Sequence, residues 1–368
     1  MSLESYVTGL MKNPHPSGKD RLVLSILESL EGIYLSQVTK KQKSAAAHAM
    51  DAGIPVISVG NITAGGTGKT PCIIRLAQLL TEAGHHPAII SRGYRSGLEK
   101  QGGIVSDAKE ILVSQKMAGD EPYMMALKLP SVPILVGKDR ITSAERAQRL
   151  GADLLLLDDG FQYWKLKRDR DLILLDATNP FGYDHALPRG LLREPLSALK
   201  RAALFIITKS DQVKPSEIKE IKNRLERLAP GIPVITSCHS PAEAVPWDDW
   251  KGRHHEGPLS DVKGKRAYLM SGIGNPAAFA ETAREAGFIP VGEMAFDDHH
   301  AYTDEDIRKC DSEAAASGAD CIVITEKDAV KMMKLQSIHE SEVPFYVLEI
   351  EMTFPEGLTL LEKQWEDL

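Results

Sequence analysis

Lys69 and Thr70 close a glycine-rich run, Thr63-Ala64-Gly65-Gly66-Thr67-Gly68, and Asp158 and Asp159 close a run of four leucines, Leu154 to Leu157. These residue types in these places suit phosphate chemistry. Successive N–H groups of a glycine-rich loop can curl around phosphate oxygens, and a helix N-terminus adds favourable partial charge. A lysine reaches the outer phosphates, while a threonine hydroxyl and a carboxylate hold Mg²⁺ directly or through water. The ligand expected is a nucleoside triphosphate. Thr63 stands where the pattern G-x-x-x-x-G-K-[ST] has its first glycine, so the pattern is met only from Gly68 onward. Threonine tolerates fewer backbone conformations, which affects the start of the loop rather than the cradle itself. A glycine turn without ligand is the plainer alternative, and the flanking pattern argues against it.

Other stretches carry groups that chemistry could use. The run HPAIISRGYRSG (85–97) reads as a strand whose end presents Arg92, Tyr94 and Arg95. Ligands of open α/β sheets bind beyond the carboxyl ends of strands, so these are candidates for contacts to an anionic substrate, with solvated arginines as the alternative. Arg189, Arg193 and Glu194 crowd the Pro- and Gly-punctuated LPRGLLREPLSAL (187–199). Gly119-Asp120-Glu121-Pro122 precedes an apolar helix pattern, where Asp120 suits either a helix N-cap or a general base. The loop FDDHHAYTDEDI (296–307) offers further carboxylates and the imidazoles of His299 and His300. Thr208-Lys209-Ser210-Asp211 fits a guanine-reading pattern [N/T]-K-x-D and raises a GTP-binding switch as a second hypothesis. Leu157 opposes it, since a D-x-x-G switch ending at Gly160 would need aspartate there.

The elements that must position these groups follow from the apolar pattern. Val56, Ile57 and Val59 precede the glycine loop as a buried strand, and a helix follows it. LLLLD, DLILLDA (171–177) and AALFIITKSD (202–211) are further buried strands. Strands alternating with helical stretches indicate an α/β fold with a mostly parallel, doubly covered sheet. After a loosened stretch rich in Pro, Gly, Trp and His, KRAYLMSGIGNPAAFAETAREAGF and DCIVITEKDAVKM read as a second α/β unit, with Thr303 capping a helix between them. The expected organisation is an N-terminal segment at 1–50, a nucleotide-binding core at 51–240, a thin linker at 241–265 and a smaller C-terminal α/β subdomain at 266–368 that contributes to the active-site cleft.

Composition sets limits on function. The 368 residues exceed one small domain, and a formal net charge of −7 disfavours general nucleic-acid binding. Cys72, Cys238, Cys310 and Cys321 form no C-x-x-C pair and no H-E-x-x-H occurs, so a zinc site or disulfide framework has no sequence support and a reducing compartment fits. Residues 1–50 are expected to hold neither a signal peptide nor a bilayer span, because no small-residue cleavage site follows a short apolar core and Glu28 and Glu31 interrupt the apolar run. Six cationic side chains against four acidic ones give this segment +2. Val23, Ile26, Leu27, Leu30 and Tyr34 fall at helical spacing, as an amphipathic helix lying on an anionic membrane or packed on its own core would have them.

Together GNITAGGTGKTP, SRGYRS, GDEP, LDDGFQ, LPRGLLREPLSAL, SGIGNP, DDHHAYTDED and TEKDAVKM, in this order, resemble the tetraacyldisaccharide 4'-kinase family of bacteria with an outer membrane. The resemblance covers residues 55 to 332. It implies a phosphate-loop fold in two α/β subdomains and transfer of the γ-phosphate of ATP, with Mg²⁺, to the 4'-hydroxyl of a tetraacylated glucosamine disaccharide 1-phosphate. It implies action at the cytoplasmic face of the inner membrane, an acylated lipid as partner, and no nucleic acid or obligate protein partner. Thr63 is then the family's own variant, while Asp297 departs from the proline common at that place. The resemblance also points to an Asp120–His299 pair as catalytic dyad beside Lys69, with Thr70, Asp158 and Asp159 at the metal.

Overall fold

The computed structural model describes residues 3–13, 16–254, 256–298 and 300–368. Two helices come first, α1 (Leu3–Lys12) and α2 (Gly18–Ala46), followed by β1 (Val56–Asn61), α3 (Lys69–Glu82) and β2 (Pro87–Ser91). Next are β3 (Gly103–Asp107), α4 (Gln115–Ala118), α5 (Asp120–Lys128), β4 (Pro133–Val136), α6 (Arg140–Arg149), β5 (Leu154–Asp158) and β6 (Arg170–Asp176). β7 (Leu204–Thr208), α7 (Pro215–Leu228), β8 (Val234–Pro246) and α8 (Trp247–Lys251) lead to β9 (Arg266–Ser271) and α9 (Pro276–Glu285). The chain closes with β10 (Ile289–Ala295), α10 (Asp304–Ala316), β11 (Cys321–Thr325), α11 (Glu326–Met332), β12 (Phe345–Glu356) and α12 (Leu358–Glu366). This is the mostly parallel α/β architecture that the apolar runs predict.

The chain forms two compact units, and neither is contiguous. The first comprises Met1–Arg92, Asp139–Cys238 and Phe354–Leu368; the second comprises Gly93–Lys138 and His239–Thr353. Residues 93–138 fall inside the span expected for the nucleotide-binding core, yet they cluster with the second unit, and the C-terminal helix α12 clusters with the first. Periodicity marks each element but not the core it joins, because that depends on contacts between residues far apart in the chain.

In the first unit β1 lies between β5 and β6 and pairs with both in parallel. β2 extends the sheet beside β5, and β7 followed by the start of β8 extends it beside β6. Every residue of β1 and of β5 is buried, as strands covered on both faces require. Helix α3 buries Cys72, Ile73, Leu76, Ala77 and Leu80, and each large apolar side chain so covered is worth about 1.5–3 kcal/mol.

In the second unit β10, β9, β11 and β12 form a parallel sheet, and β3 pairs with β4 in antiparallel fashion. Residues 241–251, the first part of the stretch 241–265 expected as a linker, form regular structure despite the segment's Pro and Gly content. β8 runs through Pro246, and α8 follows with Trp247 and Trp250 stacked at 5.9 Å in the core. Burial of the two indoles outweighs the broken periodicity.

Helix α2 begins at Gly18 under a Ser17–Asp20 capping box and divides its apolar residues between two faces. Leu24 is buried, and Tyr34 and Leu35 pack on the first unit's core. Leu22, Ile26, Leu30 and Ile33 are 67%, 56%, 45% and 57% exposed. The single face expected from Val23 to Tyr34 is therefore two. No helix among the described residues is long and apolar enough to cross a membrane.

Candidate active site

The glycine loop spans the gap from Asn61 at the end of β1 to Lys69 at the start of α3. Gly68 caps α3 at φ 81° with no side-chain cap, and the first turn holds no acidic residue. The first-turn amides are thus left for an anion. Gly65, at φ 117°, takes a backbone conformation that other residues adopt only under strain. Thr63 needs no such freedom. It is 5% exposed and bridges Leu192 in antiparallel pairing, with the Ala64 amide donating to the Leu191 carbonyl and the Arg193 amide to the Ile62 carbonyl, both at 2.7 Å. A β-branched residue suits that extended position. Inside the loop, the buried Asn61 amide donates to Thr67 Oγ1 at 3.0 Å.

The two aspartates arrive beside this loop because β5 pairs with β1 and two glycines permit a tight turn after it. A Cβ on Gly160 would lie 2.6 Å from Ser58 Oγ, and one on Gly60 would lie 2.6 Å from Phe161 Cβ. Asp158 is buried and accepts from Ser91 Oγ at 2.7 Å. Asp159, in the left-handed region at φ 49°, accepts from Arg193 at 2.7 and 3.0 Å and lies 3.8 Å from Lys69 Nζ. The buried Arg140 donates to the Asp159 carbonyl at 3.1 Å. Burial alone would raise the Asp159 pKa, but the Arg193 hydrogen bond and the charges of Lys69, Arg193 and Arg140 hold it at about 2. Asp159 is therefore a fixed anion that orders the cations around the loop. Burial pushes the Arg140 pKa down, against the pull of Asp158 and Asp159.

The remaining candidates fall in different places. Arg193 also donates to Asn61 Oδ1 at 3.1 Å, so it belongs to the loop's support. Glu194, a candidate substrate contact, is fully buried, accepts from Gln162 at 2.9 Å and pairs with Arg201 at 2.9 Å, which makes it part of the scaffold rather than a surface contact. Helix α2 is tied to the same segment: Tyr34 donates to the Arg193 carbonyl at 3.1 Å, and Glu31 pairs with His185 at 3.0 Å. Arg92 is exposed, as is Tyr94, with the Arg95 guanidinium over its ring at 5.2 Å.

In the second unit Asp120 is the first residue of α5, whose cap is Gly119; Asp120 is not the N-cap. It accepts from the Gln115 side-chain amide. Asp298 pairs with Lys327 at 3.1 Å, and His300 stacks on Phe296 at 4.3 Å and pairs with Asp306 at 3.1 Å. Thr303 caps α10 with a Thr303–Asp306 capping box, as the sequence predicts. His299 lies outside the described residues.

For Mg²⁺, the described residues contain no cluster of three or more His, Cys, Asp or Glu side chains. Such a cluster is not required, since Mg²⁺ keeps several waters and takes one or two carboxylates together with substrate phosphates. Asp158 and Thr70, both buried at the carboxyl edge of the first unit's sheet, fit that donor set. Asp159 fits it less well, because Arg193 engages both its oxygens.

Sequence reasoning did not single out Asn61, Ser91 or Arg140. The first two lie within quoted motifs as polar residues ending apolar strands, a signal that was there to read; Arg140 carries no local signal.

The sequence profile of the tetraacyldisaccharide-1-P 4'-kinase family matches residues 21–365. The tetraacyldisaccharide 4'-kinase of Halothermothrix orenii is 38% identical over 363 residues, covering 95% of this chain and 94% of its own. That of Pelobacter propionicus is 35% identical over 364 residues, with 97% of each covered. The structure of LpxK from Aquifex aeolicus in complex with ATP superposes with a TM-score of 0.72 and 27% identity, covering 93% of this chain and 98% of that one. These likenesses do not favour a GTP-binding switch. With a phosphate loop, a carboxylate pair and matching relatives along nearly its whole length, the chain belongs to the tetraacyldisaccharide 4'-kinase family.

Proposed function

We propose that the protein transfers the γ-phosphate of ATP to the 4'-hydroxyl of a tetraacylated disaccharide 1-phosphate, in lipid A biosynthesis. The observation that carries this reading is Lys69, at the start of α3, 3.8 Å from the Asp159 carboxylate that follows β5. That arrangement holds Lys69 beside the loop, within reach of phosphate, while Arg193 engages the same carboxylate more closely. The loop amides and Lys69 bind and orient the triphosphate, and Arg193 and Arg140 keep Asp159 ionised. Phosphoryl transfer asks mainly for positioning and charge stabilisation, which these residues supply. Asp158 and Thr70 would hold Mg²⁺, which neutralises charge on the outer phosphates.

Asp120, paired with His299, is the proposed base for the sugar hydroxyl. Its support is the GDEP and DDHH motifs and the place of Asp120 as the first residue of α5. The acceptor is a lipid, so the enzyme must work at a membrane. The face formed by Leu22, Ile26, Leu30 and Ile33, on a helix with Lys19, Arg21, Lys40, Lys41 and Lys43, suits an anionic surface such as the cytoplasmic face of the inner membrane. Arg92 and Tyr94 remain candidates for the headgroup.

The test is direct. Purified protein with ATP, Mg²⁺ and detergent-dispersed disaccharide 1-phosphate lipid should label the acceptor from γ-labelled ATP, and Lys69→Ala should lose most turnover. No transfer by the wild-type protein would overturn the reading.

A further inference from the structure

The segment Thr208-Lys209-Ser210-Asp211 resembles a base-reading motif, yet the first two of these residues are turned toward the glycine loop. Thr208, the fully buried last residue of β7, points its hydroxyl at the Thr67 carbonyl, 3.1 Å away, and shares that proton with the Leu175 carbonyl at 3.4 Å. Lys209, in the left-handed region at φ 55°, donates to the Gly66 carbonyl at 3.3 Å and pairs with Asp176 at the end of β6. Asp176 is itself fixed, accepting from the Thr178 amide at 3.0 Å and the Thr178 hydroxyl at 2.6 Å. Ser210 Oγ donates to the Ser237 carbonyl at 3.1 Å and ties the segment to β8.

We propose that Thr208 and Lys209 are positioning residues that set the shape of the phosphate loop before nucleotide arrives. The reason is the geometry of the peptide unit. In a planar trans peptide the carbonyl and the following N–H point in opposite directions. Donors that hold the Gly66 and Thr67 carbonyls therefore also aim the Thr67 and Gly68 amides away from β7. Consecutive amides fixed in this way are what an anion-binding nest requires. Without the two donors the loop's glycines leave many conformations open, and nucleotide would have to order them on binding. Lys209 thus contributes through a carbonyl rather than by touching phosphate, since its ammonium is engaged by Asp176. The strained φ at Lys209 fits a residue held for a purpose other than local stability.

This inference rests on the nucleotide-binding reading of the loop but not on the lipid acceptor, so it is tested with nucleotide alone. Binding of MgADP and of MgATP to the full-length protein is measured by calorimetry for wild type, Thr208→Val, Thr208→Ser, Lys209→Met and Lys209→Arg. Losing a hydrogen bond from a charged donor should weaken binding by about tenfold for Lys209→Met. Thr208→Val should weaken it by about threefold to tenfold, as for a neutral donor, while Thr208→Ser and Lys209→Arg should restore most of the affinity. In turnover assays, KM for ATP should rise with little change in kcat or in KM for the lipid. Wild-type nucleotide affinity in both Thr208→Val and Lys209→Met would overturn the proposal. So would a kcat loss with unchanged KM for ATP, which would move Lys209 into the chemical step. If Lys209→Met failed to fold, the Thr208→Val and Thr208→Ser pair would decide the matter alone. Failure of the wild-type protein to phosphorylate lipid would touch the function proposed above and leave this result standing.

Discussion

Arg193 grips both carboxylate oxygens of Asp159, at 2.7 and 3.0 Å, across 34 positions of sequence, while Lys69 waits 3.8 Å from the same carboxylate. Such a two-point contact fixes the orientation of the guanidinium as well as its charge. It also sets a pH dependence. The folded-state pKa of Asp159 is about 2, below its ordinary 3.8, so its contribution to stability is present above the ordinary value and lost as pH falls from there through 2. Asp159→Asn should flatten that part of the acid-unfolding curve, measured by chemical denaturation at a series of pH values. An unchanged acid limb would mean that Arg193 does not hold the carboxylate in solution.

The proposed dyad makes a sharper kinetic claim. Loss of a general base lowers kcat by about 10²- to 10⁴-fold. Asp120→Ala and His299→Ala should each do this with little change in nucleotide affinity, and the double variant should be hardly worse than the weaker single. Gly119, not Asp120, caps α5, so no large stability loss from a missing cap is expected. Additive losses, or an effect confined to melting temperature, would remove the dyad.

The exposed face of α2 gives a membrane prediction that its buried face controls. Replacing Leu22, Ile26 and Leu30 by serine should reduce co-sedimentation with anionic liposomes by at least about tenfold, given about 1.5–3 kcal/mol for each apolar side chain removed from water. KM for lipid should rise as well, with the melting temperature nearly unchanged. Leu24→Ser, on the buried side, should instead lower stability. Unaltered sedimentation of the triple variant would leave α2 as a packing helix only.

Lys128, the last residue of α5, is half-buried, lies 2.7 Å from the buried Glu326 and 3.6 Å from the buried Glu349, and donates to the Ile350 carbonyl at 3.2 Å. Burial would lower the Lys128 pKa, but the two carboxylates keep it raised. Glu326 is raised as well, by burial first, with Lys128 opposing and Glu349 adding to it. Lys128→Met would leave two buried carboxylates without a cation, at a cost of about 3–5 kcal/mol. With the Glu326 pKa then further above its unfolded value, the deficit should be smallest below the ordinary glutamate range and grow as pH rises through the folded value. A loss of stability that did not vary with pH would mean that the triad carries no such linkage.

Much of the machinery is legible in the sequence because local rules fix it. The buried strands β1, β5, β6 and β7 follow from apolar, β-branched or leucine-rich runs, the phosphate loop from glycines between strand and helix, and the start of α10 from Thr303 and Asp306. Each depends on residues within a few positions of one another, where backbone preference and side-chain type decide. Tertiary structure alone decided that Glu194 is buried beneath Gln162 and Arg201, that Arg140 meets the Asp159 carbonyl, and that α2 keeps Ile26 outside while Leu24 goes in. It also decided that residues 93–138 join the second unit and that Lys209 serves the phosphate loop. These outcomes depend on which distant segments pack together. A short motif fixes the chemistry available at its own position, but burial and hydrogen-bond partners are set by the neighbours that the rest of the chain brings to it.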